Sequence, residues 1–208
     1  MESPYPLDHS CAGDAQKSAL SGFLPLLDRE MGEIQTIAEG RYLGLYERDD
    51  WEFAERPNAE GVVGVLALTA RNEVVLVEQF RRPMNASVIE IPAGLIGDEE
   101  EYQGESLPDT ARRELLEETG YRAESMELLL SGPTSAGMTS EITHLFLATD
   151  LEKVAPGGGI GDEDIRVHHV AVEHLRSWLR EQQERGLLVD SKIHASLWLA
   201  GHRDHDLQ

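Results

Sequence analysis

LPDTARRELLEETGY, at residues 107–121, is the stretch of this sequence that decides its fold. Ser106 comes directly before it and suits the N-cap of a helix, and Pro108 is well tolerated in a first helical turn. Gly120 is the residue type at which helices most often stop. The stretch therefore predicts a helix that begins after Ser106 and ends at Gly120.

Three carboxylates crowd the end of this predicted helix. Residues four apart share a helix face, so Glu114 and Glu118 point together, with Glu117 beside them. The apolar side of the helical wheel is formed by Leu107, Ala111 and Leu115. The carboxylates fall within that arc or at its edge, where unpaired charge is costly and where Mg²⁺ or Mn²⁺ would find hard oxygen ligands. Two interpretations stay open from spacing alone: a divalent metal site, or an acidic surface neutralised by Arg112 and Arg113.

Apolar runs on both sides of the helix predict β-strands. The runs before it lie at residues 62–68, 74–78 and 87–91, and those after it at 126–130, 143–148 and 165–172. Two more helices are predicted at about 172–184 and 191–200. This order predicts an α/β domain, with a mixed sheet and helices packed on it.

The first quarter of the chain predicts a separate small unit. Residues 1–20 indicate a loose polar arm, and alternating segments at 33–37, 42–46 and 51–53 indicate short antiparallel strands. The break at 57–61 divides the chain into an N-terminal arm and β unit, residues 1–57, and a main domain, residues 58–208. Because so small a sheet is unstable alone, we expect it to pack on the main domain or on a partner subunit.

The charge balance restricts the partners. The chain has 18 Lys and Arg against 39 Asp and Glu, a formal charge of −21. A general binder of nucleic acids or anionic membranes needs a basic surface. We therefore expect neither nucleic acid nor membrane as a partner, whereas a small phosphorylated substrate stays compatible if metals screen the carboxylates.

Cysteine content and the N-terminus indicate the compartment. The single cysteine, Cys11, cannot form an intramolecular disulfide and fits a reducing environment. The first residues lack the charged and apolar regions of a signal peptide, and no apolar run approaches the roughly 18 residues of a membrane span. We expect a cytoplasmic protein.

The helix and its surroundings resemble the signature of the Nudix hydrolases: Gly, five residues, Glu, seven residues, then Arg-Glu-apolar-x-Glu-Glu-x-Gly-apolar. Here Glu105 is followed by seven residues and then by the matching run at 113–121. The upstream half departs from the pattern, since ten residues separate Gly94 from Glu105. We read residues 98–104 as containing an insertion of about five residues in the loop before the helix.

Segments outside this signature resemble the Nudix branch that hydrolyses ADP-ribose and other nucleoside diphosphate sugars. They are 77–83 with 90–94, the loop 135–141, and the loop 157–165. In this branch the middle loop usually reads Ser-Pro-Gly-Gly-Thr-Ser-Glu, and Ala136 replaces the proline that often marks ADP-ribose specificity. The resemblance implies a Nudix-type α/β/α sandwich with a mixed sheet.

The resemblance also implies the reacting groups. Glu114 and Glu118 would bind Mg²⁺ or Mn²⁺, with help from Glu117 and the backbone carbonyl of Ala93. Glu163 would join the metal ligands and orient or deprotonate the attacking water, with Asp162 as the alternative acid. The residues predicted to be catalytic are Glu163, Glu117 and Arg113.

Substrate contacts are expected from residues outside the helix. Trp51, with Glu52 and Arg56, resembles a purine-stacking segment that reaches the site of the other subunit in a homodimer, although a packed strand tryptophan is an equal alternative. Arg81 would contact phosphate or the distal ribose; its alternative role is a surface cation. The loop 135–141 would contribute Met138 and Glu141.

The sequence therefore predicts a metal-dependent hydrolase of the diphosphate in a nucleoside diphosphate sugar. ADP-ribose, giving AMP and ribose 5-phosphate, is the leading substrate, and GDP-mannose or ADP-glucose is the rival. A non-catalytic Nudix-like sensor of nucleotide sugars is the alternative from another class, and it would typically have lost carboxylates that this chain retains.

Overall fold

A computed structural model of the chain describes residues 32–98, 100–161 and 164–202. Its first three strands are β1 (Gln35–Glu39), β2 (Gly44–Arg48) and β3 (Trp51–Glu55). They form an antiparallel sheet in the order β1-β2-β3. Asp49 and Asp50 connect β2 to β3 with φ angles of 53° and 64°, as a two-residue hairpin turn requires. The predicted antiparallel unit is confirmed, and the arm predicted at residues 1–20 lies outside the described residues.

The remaining strands form a second, mixed sheet. They are β4 (Val62–Leu68), β5 (Glu73–Arg81), β6 (Ala86–Glu90), β7 (Ala93–Leu95), β8 (Tyr121–Pro133), β9 (Ile142–Lys153), β10 (Arg166–Ala171) and β11 (Leu188–Val189). The order is β11-β6-β5-β4-β9-β8, with β10 paired to β5 and β7 paired to β4. The pairs β4–β9 and β11–β6 are parallel, and the other pairs are antiparallel.

Three α-helices pack against this sheet: α1 (Leu107–Thr119), α2 (Leu175–Glu184) and α3 (Ser191–Gly201). Helix α1 begins as predicted, with the Ser106 side chain accepting a hydrogen bond from the backbone N–H of Asp109. It ends at Gly120, whose φ of 71° lies in the left-handed region that glycine adopts readily. The predicted bounds of α1 are confirmed.

The mixed sheet is buried on both faces. On one face, Val63 and Val65 of β4 pack with Ala111 and Leu115 of α1. On the other face, the core contains residues of β4, β5, α2 and α3, namely Leu66, Leu76, Leu175, Leu179 and Ile193. Because the consecutive residues 63–67 of β4 are buried, this strand is a continuous apolar run. The predicted α/β/α sandwich is confirmed.

Strand β4 changes its partner along its length, and this change positions the candidate site. Its first residues, from Val62 to Gly64, pair with β7, and its last two, Ala67 and Leu68, pair with β5. The short strand β7 therefore lies on the same side of β4 as β5 does. Helix α1 packs against both β4 and β7. The apolar run predicted at 87–91 is followed, after Ile91 and Pro92, by β7 as a separate strand, which begins at Ala93.

Strands β1–β3 belong to the same compact unit as the mixed sheet. The division at residue 57 stays a prediction. Within the described ranges, no helix is long and apolar enough to cross a membrane.

Candidate functional site

The carboxylates of α1 lie against the backbone of β7. We call Glu114, Glu117 and Glu118 the carboxylate cluster. Glu118 is only 5% exposed, and its Oε2 accepts a hydrogen bond from the backbone N–H of Ala93 at 3.1 Å. Gly94 follows Ala93 and lies against the carboxylate of Glu114. The structure thus brings the N–H of Ala93 together with the helix. The role of its carbonyl as a metal ligand stays a prediction.

Arg113 links several of these acids. Its Nη1 donates to Glu114 at 2.8 Å and to Glu117 at 3.2 Å, and its Nε donates to Glu105 at 3.2 Å. Burial alone would lower the pKa of Arg113, but the charge of Glu114 and the bonds to the carboxylates raise it well above its usual range. Arg113 is therefore a permanent cation that three carboxylates share.

One buried atom of Arg113 remains without a partner. Its Nη2 forms no hydrogen bond to any residue that the structure describes. A buried guanidinium N–H without a partner is costly, so a ligand atom or a water that accepts from it would stabilise the site.

The carboxyl of Glu114 is strongly perturbed. Burial raises its pKa to about 7, while the positive charge and hydrogen bond of Arg113 oppose the shift and the charges of Glu117 and Asp98 add to it. Near neutral pH this carboxyl is therefore divided between its protonated and ionised forms. A second cation placed beside it would favour the ionised form.

The donors at the cluster fit a hard divalent cation. Across the described ranges, no three His, Cys, Asp or Glu side chains converge closely enough to cage an ion by themselves. Mg²⁺ rarely needs such a cage, since it commonly binds through one or two carboxylates and completes its shell with water and substrate phosphates. The buried carboxylate of Glu118 and the part-buried carboxylates of Glu114 and Glu117 are donors of that kind.

Tyr102 is a member of the site that sequence reasoning missed. The insertion before α1 forms a 3₁₀ turn at Glu100–Tyr102, and the Tyr102 ring lies 4.1 Å from the guanidinium carbon of Arg113. A cation over an aromatic face is attracted by the ring quadrupole. The only available signal was an aromatic residue three positions before Glu105 in the inserted segment.

The glycine-rich loop after β9 meets the C-terminal end of α1. The N–H of Gly158 donates to the carbonyl of Glu118 at 2.8 Å, and the N–H of Gly159 donates to the carbonyl of Glu117 at 3.1 Å. The loop therefore uses these N–H groups to satisfy helix carbonyls. The acids predicted to activate water, Glu163 and Asp162, lie outside the described residues.

Strand β3 and the loop 135–141 form a second part of the site. The N–H of Ala54 donates to the carbonyl of Met138 at 2.8 Å, and Arg56 bonds Glu141 at 3.0 Å. The indole N–H of Trp51 donates to the carbonyl of Gly137 at 3.3 Å, although the side chain is mainly exposed.

Both predicted substrate segments therefore lie side by side. Met138 is 71% exposed beside them, and Glu52 is exposed on the same strand as Trp51. A cavity of about 300 Å³ adjoins the pair, lined by Glu55, Arg56, Ala59, Glu60, Gly61, Ser140 and Glu141.

Arg81 lies at the end of β5 and contacts a different acid. Its Nε donates to Oε2 of Glu90 at 2.6 Å, and the Glu90 side chain is almost fully buried. The residues pair across β5 and β6, where Arg81 faces Ala86. Among the described residues Arg81 is thus paired with Glu90 and is not a free surface cation. Its predicted contact with substrate stays a prediction.

A family model and several known proteins are similar in sequence to this chain. The family model described as NUDIX domain matches residues 59–190. A methanol dehydrogenase activator of Bacillus methanolicus is 34% identical over 178 residues, which cover 80% of this chain and 89% of that relative. An ADP-ribose pyrophosphatase of Bacillus subtilis (strain 168) is 36% identical over 152 residues, which cover 67% of this chain and 76% of the relative.

The fold also matches a solved structure. An ADP compounds hydrolase superposes with a TM-score of 0.65 over 82% of this chain and 90% of that chain, at 17% sequence identity. At that identity the match concerns the fold, and it agrees with the α/β/α sandwich described above.

Proposed function

The chain belongs to the Nudix family and is a Nudix pyrophosphohydrolase of the nucleoside diphosphate sugar type, and we propose that ADP-ribose is its substrate. Water would attack one phosphorus of the diphosphate, the P–O–P bond would break, and AMP and ribose 5-phosphate would leave. The observation that carries the proposal is the intact carboxylate cluster with Arg113, inside the region that matches the family. The ADP-ribose pyrophosphatase relative supports the choice of substrate.

We propose Mg²⁺ or Mn²⁺ as the cofactor. Glu114 and Glu118 would hold the ion, with Glu117, Glu163 and the carbonyl of Ala93 completing the protein ligands. When bound, such an ion neutralises the diphosphate and lowers the pKa of a bound water. The burial of Glu118 and the part-buried carboxylates of Glu114 and Glu117 around the Arg113 guanidinium support this assignment.

Other residues of the chain would position the carboxylates and accept the proton of the attacking water. Arg113 holds Glu114 and Glu117 in fixed positions through paired hydrogen bonds. We propose Glu163 as the acid that receives the proton of the attacking water, with Asp162 as the alternative. Both lie in the segment that follows the glycine-rich loop.

Recognition of the nucleotide would fall to β3 and the loop 135–141. The exposed indole of Trp51 offers a flat face on which a purine can stack, and Glu52 and Met138 are exposed near it. Arg56 and Glu141 are adjacent polar groups that could hydrogen-bond the base or ribose. Arg81 would contact phosphate or the distal ribose from the end of β5.

We propose a homodimer that forms through the small sheet. Several apolar side chains of β1–β3 and their connections are exposed in the single chain, namely Ile34, Ile37, Leu43 and Leu45. An exposed apolar patch on a small sheet is a common site of subunit contact. Sedimentation velocity would test this state directly.

The substrate proposal is tested by a panel of nucleotide sugars with and without Mg²⁺. We expect metal-dependent release of AMP from ADP-ribose, with a higher kcat/KM than for GDP-mannose or ADP-glucose. If one of the other sugars is preferred, the substrate assignment is wrong but the enzyme class stands. Tight binding of a nucleotide sugar without any turnover would instead support the sensor alternative.

A variant pair tests the metal assignment. Glu118→Gln should lower kcat by about 10²-fold or more, because second-sphere and ligand losses in metal sites commonly cost 10–100-fold. Glu124→Gln removes an exposed glutamate of β8 and serves as the matched control. Activity of Glu118→Gln within a few-fold of the control would reject the assigned role.

A further inference from the structure

The C-terminal end of α1 is electrostatically unfavourable by itself. A helix carries partial negative charge at its C-terminus, where cations are stabilising and anions are not. Here the last turns carry Glu114, Glu117 and Glu118, and the last turn has no basic residue. Glu118 is also nearly fully buried, so solvent screens it poorly. Arg113 pairs with Glu114 and Glu117, and a cation beside the last carbonyls of the helix would stabilise this end further.

Lys153, the last residue of β9, supplies that cation. Its Nζ donates to the carbonyl of Thr119, the last residue of α1, at 2.5 Å, and to the carbonyl of Pro156 at 3.1 Å. Lys153 stands opposite Tyr121 in the β8–β9 ladder, and its Nζ lies 4.9 Å from the Tyr121 ring centroid. One ammonium group therefore joins the helix end, the start of the next loop and the strand that follows the helix.

The backbone around Lys153 forms a close interlock with the helix end. The N–H groups of Val154 and Ala155 both donate to the carbonyl of Gly120. A Cβ on Gly120 would lie 2.0 Å from the Ala155 carbonyl oxygen, and a Cβ on Gly157 would lie 2.4 Å from the Thr119 carbonyl carbon. With φ near 71° at both glycines, no other residue fits without displacement.

We propose that Lys153 is a positioning residue for the carboxylate cluster. Its charge offsets the helix dipole, and its two hydrogen bonds fix the end of α1 against the loop 154–161. The carbonyls of Glu117 and Glu118 accept from that same loop, so the interlock sets where their side chains point. The effect on activity rests on the proposed function, whereas the effect on the helix end does not.

Three variants of the full chain test this inference. Lys153→Met keeps most of the aliphatic stem but removes the charge and both hydrogen bonds, and Lys153→Arg keeps a cation with several donors. Arg122→Met is the matched control, since Arg122 lies one position along the same ladder and its exposed side chain is 3.9 Å from Glu152. Lys153→Gln replaces Lys153→Met if the latter does not fold.

The first measurement is amide hydrogen exchange of the metal-free protein. Lys153→Met should exchange the amides of residues 116–120 and 158–159 faster by about tenfold, because local opening becomes easier. Lys153→Arg and Arg122→Met should exchange them at the wild-type rate. Equal exchange in Lys153→Met and Arg122→Met would overturn the proposal, whether or not the protein turns over ADP-ribose.

The second measurement separates positioning from substrate binding. Lys153→Met should raise the Mg²⁺ concentration for half-maximal activity on the order of tenfold, as loss of outer-shell support commonly does, with KM for the nucleotide within about twofold. Lys153→Arg should restore most of the wild-type requirement. An unchanged Mg²⁺ requirement in Lys153→Met would overturn the proposal, whereas absence of turnover in the wild type would overturn only the proposed function.

Discussion

Gly94 of β7 leaves no room for a side chain beside Glu114 of α1. A Cβ built on Gly94 would lie 1.9 Å from Cδ of Glu114 and 2.2 Å from its Oε1. The glycine therefore allows the carboxylate to approach the strand backbone closely. This contact explains why Gly94, which precedes the helix by more than ten residues, belongs to the same Nudix signature as the helix.

Gly94→Ala should displace Glu114 and damage the site. The carboxylate ends a flexible side chain and can move aside, so we expect a smaller loss of stability than overpacking against fixed atoms causes. The displaced carboxylate should lower kcat by at least about tenfold. Gly201→Ala is the control, because a Cβ at Gly201 meets nothing within 4 Å. Steady-state kinetics and thermal unfolding of both variants check the prediction, and equal kinetics would contradict it.

Tyr102 should act through the orientation of Arg113. Tyr102→Leu removes the ring face, and the loss of a cation–π contact worth about 0.5–2 kcal/mol should lower kcat several-fold. Tyr102→Phe keeps the ring and should stay within about twofold of the wild type. The control is Tyr42→Leu, which removes a ring 4.8 Å from the guanidinium of Arg41 at the surface. If Tyr102→Phe is as impaired as Tyr102→Leu, the hydroxyl matters and the stacking argument fails.

Arg81 should contribute to stability through Glu90. Removing one partner of a buried ion pair commonly costs about 3–5 kcal/mol. Because the Arg81 side chain is 39% exposed, we expect Arg81→Met to lower the free energy of unfolding by only about 1–2 kcal/mol. Arg82→Met, at the exposed neighbouring position, should stay within about 0.5 kcal/mol of the wild type in urea unfolding. A double variant, Arg81→Met with Glu90→Gln, should recover part of the loss, since no unpaired charge remains buried.

Local signals were sufficient to predict α1 and the small sheet. Ser106 and Gly120 mark the ends of α1 by side-chain capping and by left-handed backbone conformation, and both signals depend only on neighbouring residues. Likewise, Asp49 and Asp50 mark the turn between β2 and β3. Where the structure depends on nearby residues, the sequence was informative.

Elements that depend on distant partners were not predictable from their own residues. Strand β7 is three residues long and directly follows Pro92, so only its pairing with β4 makes it a strand. Strand β11 has two residues and exists through parallel pairing with β6. In the site, Lys153 and Thr119 are 34 residues apart, and no spacing rule links them.

His144 should make the stability of the protein depend on pH. It is 7% exposed on β9, and its Nδ1 lies 2.7 Å from Oγ of Ser131. Burial lowers its pKa below the ordinary 6.5, so the folded protein keeps the ring neutral where the unfolded chain protonates it. The unfolded state then binds more protons, and the free energy of unfolding falls as pH decreases below 6.5.

Comparison of variants isolates this effect from other titrating groups. Between pH 4.5 and about 7, the raised pKa of Glu114 increases the free energy of unfolding as pH decreases, which opposes the effect of His144. The lowered pKa of His169 acts in the same direction as that of His144. Both groups are present in every variant compared, so their effects cancel in the comparison. His144→Gln should flatten the decrease in unfolding free energy between pH 7 and 5, by at most about 1.4 kcal/mol per pH unit for one proton. Ser131→Ala should keep the wild-type slope and lower stability by about 1 kcal/mol at all pH values, because burial and not the hydroxyl shifts the pKa. Urea unfolding at a series of pH values measures both slopes; a slope for His144→Gln equal to that of the wild type would show that folding does not lower the pKa of His144.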